Sequence, residues 1–245
     1  MIKQTKRTIG DLDCVIVQDP NCDHPMAVVI LCHGFGAPST DLVSLARELM
    51  ESNGLQQQVV YVFPGAPLEL DPLFDARAWW MIDVEKIQQL KMQGKTRLMR
   101  KESPDQLPIR RESLTRVIDQ CREDYSLPAS KVIVGGFSQG AMLATDVALH
   151  YPEPLGGLIV WSGALINYDT WTTRARCQSS LRVVQSHGRL DPLLPLTTGE
   201  DLRDMLTREK HRVRYTEFAG QHAIPGEAIE MASQLIGEVA GNEPS

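Results

Sequence analysis

The sequence predicts an α/β fold, a single domain built on a mostly parallel, doubly wound sheet with helices on both faces. Short apolar runs alternate with helical stretches along the whole chain, which is the pattern of repeated βαβ units. At 245 residues the chain can form one large core, burying about 70–75% of its unfolded surface. No Pro/Ser/Gly linker or charge block divides it, so residues 1–245 read as one unit. The third observation is a strand, a tight turn and a helix within residues 131–150. Val132 to Val134 is a buried strand, Gly135 and Gly136 break it, and residues 141–150 are helical.

Taken in order, residues 11–18 alternate as an edge or second strand, closed by Asp19-Pro20-Asn21. Residues 26–32 are continuously apolar and end in His33-Gly34-Phe35-Gly36, which marks a buried central strand. Pro38-Ser39-Thr40 offers an N-cap for a helix running to Met50, with Leu42, Leu45 and Leu49 at helical spacing and Asn53-Gly54 as its stop. Residues 58–63 form the next strand, and 64–82 a long loop containing Arg77-Ala78-Trp79-Trp80. A charged helix over 83–93 leads into an irregular cationic stretch at 94–108, so 83–108 is a lid or excursion. A helix over 109–125 precedes the serine turn. Beyond that turn come a strand at 158–161, a loop at 162–180, a strand at 181–185, a helix from about 198 to 210, a strand at 213–218 and a last helix at 227–239.

The chemistry centres on Ser138. Gly136 and Gly140 stand two residues to either side, where a sharp strand-to-helix turn leaves no room for side chains. This G-x-S-x-G spacing is weak by itself, and a plain glycine-rich turn competes with it. A serine hydroxyl needs a histidine to take its proton and a carboxylate to orient that histidine. In an open α/β sheet these partners lie on loops at the carboxyl ends of strands. Asp191 and His222 each follow a strand there. Asp146 lies inside the helix after Ser138, Asp201 and Asp204 lie on a charged helix, and Asp169 is a rival in a loop that no strand directly precedes. His24 and His211 flank the amino ends of strands, while His33 and His187 shape turns. His150 ends a helix, where a cation would complement the dipole. An oxyanion hole needs two convergent backbone N–H groups; Gln139 and Phe35 are the candidates.

Gly136-Phe137-Ser138-Gln139-Gly140-Ala141, His33-Gly34-Phe35-Gly36, His187-Gly188 with Asp191-Pro192, and His222 together resemble the phospholipase/carboxylesterase family of α/β-hydrolases. The resemblance runs from about residue 26 to 240. It implies a cytoplasmic serine esterase that needs no metal or cofactor and cleaves carboxylic ester or thioester bonds of short to medium acyl groups. Lysophospholipase or protein depalmitoylase activity is the near alternative, and a non-catalytic hydrolase-fold binding protein the distant one. Two departures stand near the expected acyl pocket. Trp79-Trp80 is followed by Met81 where the family commonly has aspartate, and the connection at 85–108 is longer than usual. Trp79 and Trp80 are candidate substrate-binding residues, with packing beneath the long loop as the competing role.

The charge balance excludes other classes. Lys and Arg number 25 against 31 Asp and Glu, a net charge of −6, and no basic patch is interleaved with aromatics. Nucleic acid is therefore not an expected partner. No run approaches the roughly 20 apolar residues of a membrane-spanning helix, and residues 1–7 do not form a signal peptide. Five widely spaced cysteines without a C-x-x-C argue against a disulfide framework or zinc site and for a reducing compartment.

Overall fold

The computed structural model describes residues 2–54 and 57–241. Ten strands and seven α-helices are present among them. The strands are β1 (Lys3–Ile9), β2 (Leu12–Gln18), β3 (Ala27–Cys32), β4 (Val59–Pro64), β5 (Leu68–Asp71), β6 (Ala76–Ala78), β7 (Val132–Phe137), β8 (Gly157–Trp161), β9 (Arg182–Gly188) and β10 (Arg212–Phe218). The helices are α1 (Leu45–Asn53), α2 (Val84–Met92), α3 (Leu107–Tyr125), α4 (Gln139–His150), α5 (Tyr168–Cys177), α6 (Leu196–Arg208) and α7 (Gly226–Ala240). The main sheet runs β1-β2-β4-β3-β7-β8-β9-β10; every pair from β4 to β10 is parallel, and β2 is antiparallel to both of its neighbours.

Alternation along fully buried strands splits the core in two. Val28, Ile30 and Cys32 of β3 join Val132 and Val134 under α3, α4, α5 and α6. Ala27, Val29 and Leu31 face the opposite way, with Tyr61, Phe63 and Ile159, against α1 and α7. Parallel strands covered on both faces lose the apolar/polar alternation of a half-exposed strand, which is why they read as continuous apolar runs.

Four local expectations are corrected. Residues 38–44 form successive turns and the first helix starts only at Leu45; Ser39 does not cap it but donates its hydroxyl to Asp75 Oδ2 at 2.9 Å. The 64–82 loop contains the β5–β6 hairpin, and the 162–180 loop contains α5. His150 is not a surface cation: it is mostly buried, burial pushes its imidazole down, and its Nδ1 bonds the Asp146 carbonyl at 2.7 Å.

The excursion docks on the carboxyl side of the sheet. Lys91 of α2 donates to the Pro192 carbonyl in the loop after β9. A 3-10 turn at Thr96–Lys101 follows; Arg97 pairs with Asp201 of α6 at 3.6 Å, and Arg100 lies over the Tyr168 ring at the start of α5. Asn167 N–H, just before α5, donates to the Glu102 carbonyl at 2.8 Å.

Two buried histidines give the fold a pH dependence. Each ring accepts a backbone N–H at one nitrogen and faces a carbonyl with the other. His33 Nε2 accepts from Ala66 and its Nδ1 meets the Gly34 carbonyl; His211 Nδ1 accepts from Leu181 and its Nε2 meets the Ala175 carbonyl. A protonated ring would set two donors against each other. Burial, the larger cause, pushes both imidazoles below their ordinary value despite those carbonyls. The unfolded chain therefore binds these protons first as pH falls. Stability should decline below about pH 6.5, with a slope of up to about 1.4 kcal/mol per pH unit for each ring. Urea midpoints at pH 7.5 and 5.5 test this; equal midpoints would contradict it, and His211→Gln should flatten the slope.

Candidate active site

β7 ends at Phe137 and α4 begins at Gln139, so Ser138 turns the chain within one residue. It does so at φ 54° and ψ −116°. Such strain costs a non-glycine residue about 1–3 kcal/mol. Its N–H is tied to the Trp161 carbonyl of β8 at 2.9 Å. The flanking glycines make the turn possible. A Cβ on Gly136 would lie 2.3 Å from the Cys32 carbonyl oxygen, and one on Gly140 2.1 Å from the same atom. The helix thus starts hard against the end of β3, and Ser138 stands half-buried at its N-terminus.

The loop leaving β3 lies beside that serine. A Cβ on Gly34 would sit 3.4 Å from Ser138 Cβ. His33, fully buried, holds this loop through its two ring contacts. The Gly36 N–H is taken by the Arg77 carbonyl at 2.8 Å, and Arg77 N–H returns a bond to Ala37 at 3.1 Å. Gln139 is the first residue of α4, so its N–H has no acceptor within the helix.

On the other side, Asp191 and His222 meet. His222 Nδ1 lies 2.6 Å from Asp191 Oδ2, while Asp191 Oδ1 accepts the Leu193 and Leu194 N–H groups, both at 2.8 Å. Burial raises the Asp191 carboxyl, but bonds from His222, Leu194 and Leu193 outweigh it and hold the group below the ordinary carboxylate range. Their loops interlock. Leu190 N–H donates to Gly220, and a Cβ on Gly188 would strike the Gln221 carbonyl oxygen at 2.1 Å. The His222 ring packs on Phe137, centroids 4.6 Å apart, next to Ser138. Ser162 Oγ, after β8, holds the adjoining Ala223 carbonyl at 3.2 Å.

His187, which the sequence marks only as a turn residue, has a further part. Its Nε2 bonds the Leu194 carbonyl at 2.8 Å and lies 3.5 Å from Asp191 Oδ2, so it closes the loop that carries the carboxylate. The rival acids lie elsewhere. Asp169 is exposed in the first turn of α5; Asp204 is exposed beside Arg203; Asp201 pairs with Arg97. Asp146 is buried among Arg111, His150 and Trp171, where it joins α3, α4 and α5.

Both tryptophans are buried. Trp79 has 0% of its surface exposed and Trp80 only 4%. The Trp79 indole packs on the His33 ring and donates from Nε1 to the His33 carbonyl at 2.9 Å. Trp79 is therefore enclosed beneath the loop, the packing role, because its indole N–H and ring are both satisfied by protein.

Residues 12–239 match the phospholipase/carboxylesterase family profile. Acyl-protein thioesterase 1 of Eremothecium gossypii is 28% identical over 216 residues, covering 84% of this chain and 85% of that protein. Acyl-protein thioesterase 1 of Mycosarcoma maydis is 26% identical, covering 76% and 77%. Among solved structures, esterase PE8 superposes with a TM-score of 0.76 at 20% identity, covering 97% of this chain and 99% of that one. The carboxylesterase from Mesorhizobium loti gives a TM-score of 0.70 at 14% identity over 97% and 99%. No helix among the described residues is long and apolar enough to cross a membrane. The chain is a hydrolase of the α/β-hydrolase fold and belongs to the phospholipase/carboxylesterase family.

Proposed function

We propose that this protein cleaves carboxylic esters or thioesters of short to medium acyl groups through an acyl-enzyme. Ser138 Oγ attacks the acyl carbonyl while His222 takes its proton. Asp191 holds His222 in the tautomer whose Nε2 is free to accept. The Phe35 and Gln139 N–H groups bind the tetrahedral oxyanion. Collapse expels the alcohol or thiol, protonated by His222, and water activated by the same ring hydrolyses the acyl-serine. The observation that carries this reading is the 2.6 Å contact between His222 and Asp191, with the His222 ring against Phe137 beside Ser138. A fluorophosphonate probe should label wild type at Ser138 and leave Ser138→Ala unlabelled. Labelling elsewhere, or none, overturns it and returns the chain to the ligand-binding class.

Thioesters of acylated proteins, and by the same machinery lysophospholipids, are the second substrate reading, favoured by the names of the curated relatives. Five unpaired cysteines support a reducing cytoplasm as its place of action, which cell fractionation tests. The contacts of residues 83–108 with the Asp191 loop, α5 and α6 support a lid that limits acyl length, with Trp80 in the apolar wall beneath. Replacing residues 95–105 by a short Gly/Ser connection should raise kcat/KM for long p-nitrophenyl esters relative to butyrate. Trp80→Ala should raise KM more than it lowers kcat, as a contact felt equally in ground and transition states. An unchanged chain-length profile in both variants places the limit elsewhere, with the α5 segment next in line.

A further inference from the structure

The residues at the elbow and the residues at the β3 loop come from distant parts of the chain, and one buried tryptophan touches both. Trp79 N–H donates to Gln139 Oε1 at 2.9 Å, and Gln139 Nε2 donates to the Trp80 carbonyl at 2.8 Å. The Gln139 side chain thus clamps the bend at Trp79–Trp80, accepting from the first residue and donating to the second. Trp79 Nε1 reaches across to the His33 carbonyl, and Arg110 Nε of α3 fixes the Trp79 carbonyl at 2.9 Å. Every polar atom of Trp79 is engaged, in a place where an unpaired group costs about 1–3 kcal/mol. The His33 ring, packed against that indole, continues the connection to the Gly34 carbonyl.

We propose that Trp79 and the side chain of Gln139 are positioning residues that hold the Phe35 and Gln139 N–H groups at a fixed separation for the oxyanion. This rests on the acyl-enzyme reading above. Neither side chain touches substrate. They act by removing freedom from two donors that belong to separate loops. Preorganised donors are effective because they need no rearrangement as charge develops on the oxygen, and deleting one costs about 10²–10³ in kcat. Loosening one should cost less.

The test uses the full-length enzyme with p-nitrophenyl butyrate and a trifluoromethyl ketone that forms a tetrahedral adduct. Trp79→Phe removes the indole N–H together with the five-membered ring, and keeps a six-membered ring and the backbone bonds to Gln139 and Arg110. It should lower kcat about tenfold, leave KM within about twofold, and weaken the ketone by the same factor as kcat/KM. Gln139→Met, of similar length but with neither bond, should lower kcat about thirtyfold, less than deletion of a donor would. The double variant should fall by less than the product of the two, because both changes break one unit. Wild-type kcat in Trp79→Phe, or a raised KM with kcat intact, overturns the proposal; the second result would make Trp79 a substrate wall. If Gln139→Met does not fold, Trp79→Phe decides alone. Ser138→Ala separates the two failures: activity retained there sinks the acyl-enzyme reading, whereas its loss beside a fully active Trp79→Phe sinks only the brace.

Discussion

Asp191→Asn is expected to lower kcat by about 10⁴-fold while leaving the fold intact. The size follows from how the carboxylate is held. Two backbone N–H groups, of Leu193 and Leu194, converge on Oδ1. An asparagine must keep its oxygen there, since an amide NH₂ would meet two donors. Its NH₂ then faces His222 Nδ1, which has to become an acceptor. The ring proton moves to Nε2, the atom that must be free to take the Ser138 proton. Ser138→Ala and His222→Ala should each cost still more, on the order of 10⁶, and combining them should add little because the residues act as a unit. Asp169→Asn is the matched control and should stay within about twofold. Circular dichroism and kcat on one short p-nitrophenyl ester check the set. An active Asp191→Asn beside an inactive Asp169→Asn would reassign the acid.

What was legible in the sequence follows from burial. β3, β4, β7 and β8 are covered on both faces, so their apolar runs stand out, and the candidate nucleophile stands just past the end of β7. β1 has no such run, for the opposite reason. In Lys3–Ile9 only Ile9 is buried, and the strand exists because β2 offers it a ladder. Its Lys3, Lys6 and Arg7 discourage further pairing at the sheet edge. α5 reads as loop in the sequence because Trp171 and Ala175 are its only buried residues, one pair at helical spacing in a charged stretch. The hairpin of β5 and β6 is held by two very short strands in which only Ala78 is buried. The Gln139–Trp79–His33 connection had no sequence signal at all. Its partners are 46 to 60 residues apart and each of its three hydrogen bonds uses a backbone atom, which no pattern of residue types reports.

Gly140→Ala should be the most damaging small substitution in the chain. The added Cβ would fall 2.1 Å from the Cys32 carbonyl oxygen, 2.5 Å from Cys32 C and 2.5 Å from the His33 oxygen. All three are backbone atoms at the end of β3, which is paired on both sides with β4 and β7, so they cannot swing away as a side-chain tip could. Overpacking ordinarily costs about 1–3 kcal/mol. Here relief requires moving the elbow or a central strand, and a loss of more than about 4 kcal/mol or insolubility is expected. Gly237→Ala is the contrast. Nothing lies within 4 Å of a Cβ there, in the last turn of α7, so it should stabilise by up to about 0.5–1 kcal/mol. Urea melts of both variants decide whether contact or glycine content matters. Activity adds a second reading where Gly140→Ala is recovered folded. The carbonyls it would push on begin the loop that carries Phe35, while Gly140 follows Gln139 directly. A shift of a few tenths of an ångström there changes the spacing of the two N–H groups, so kcat should fall with KM little altered. A Gly140→Ala protein with wild-type melting and wild-type kcat would mean that the close approach of elbow and β3 is not what builds this site.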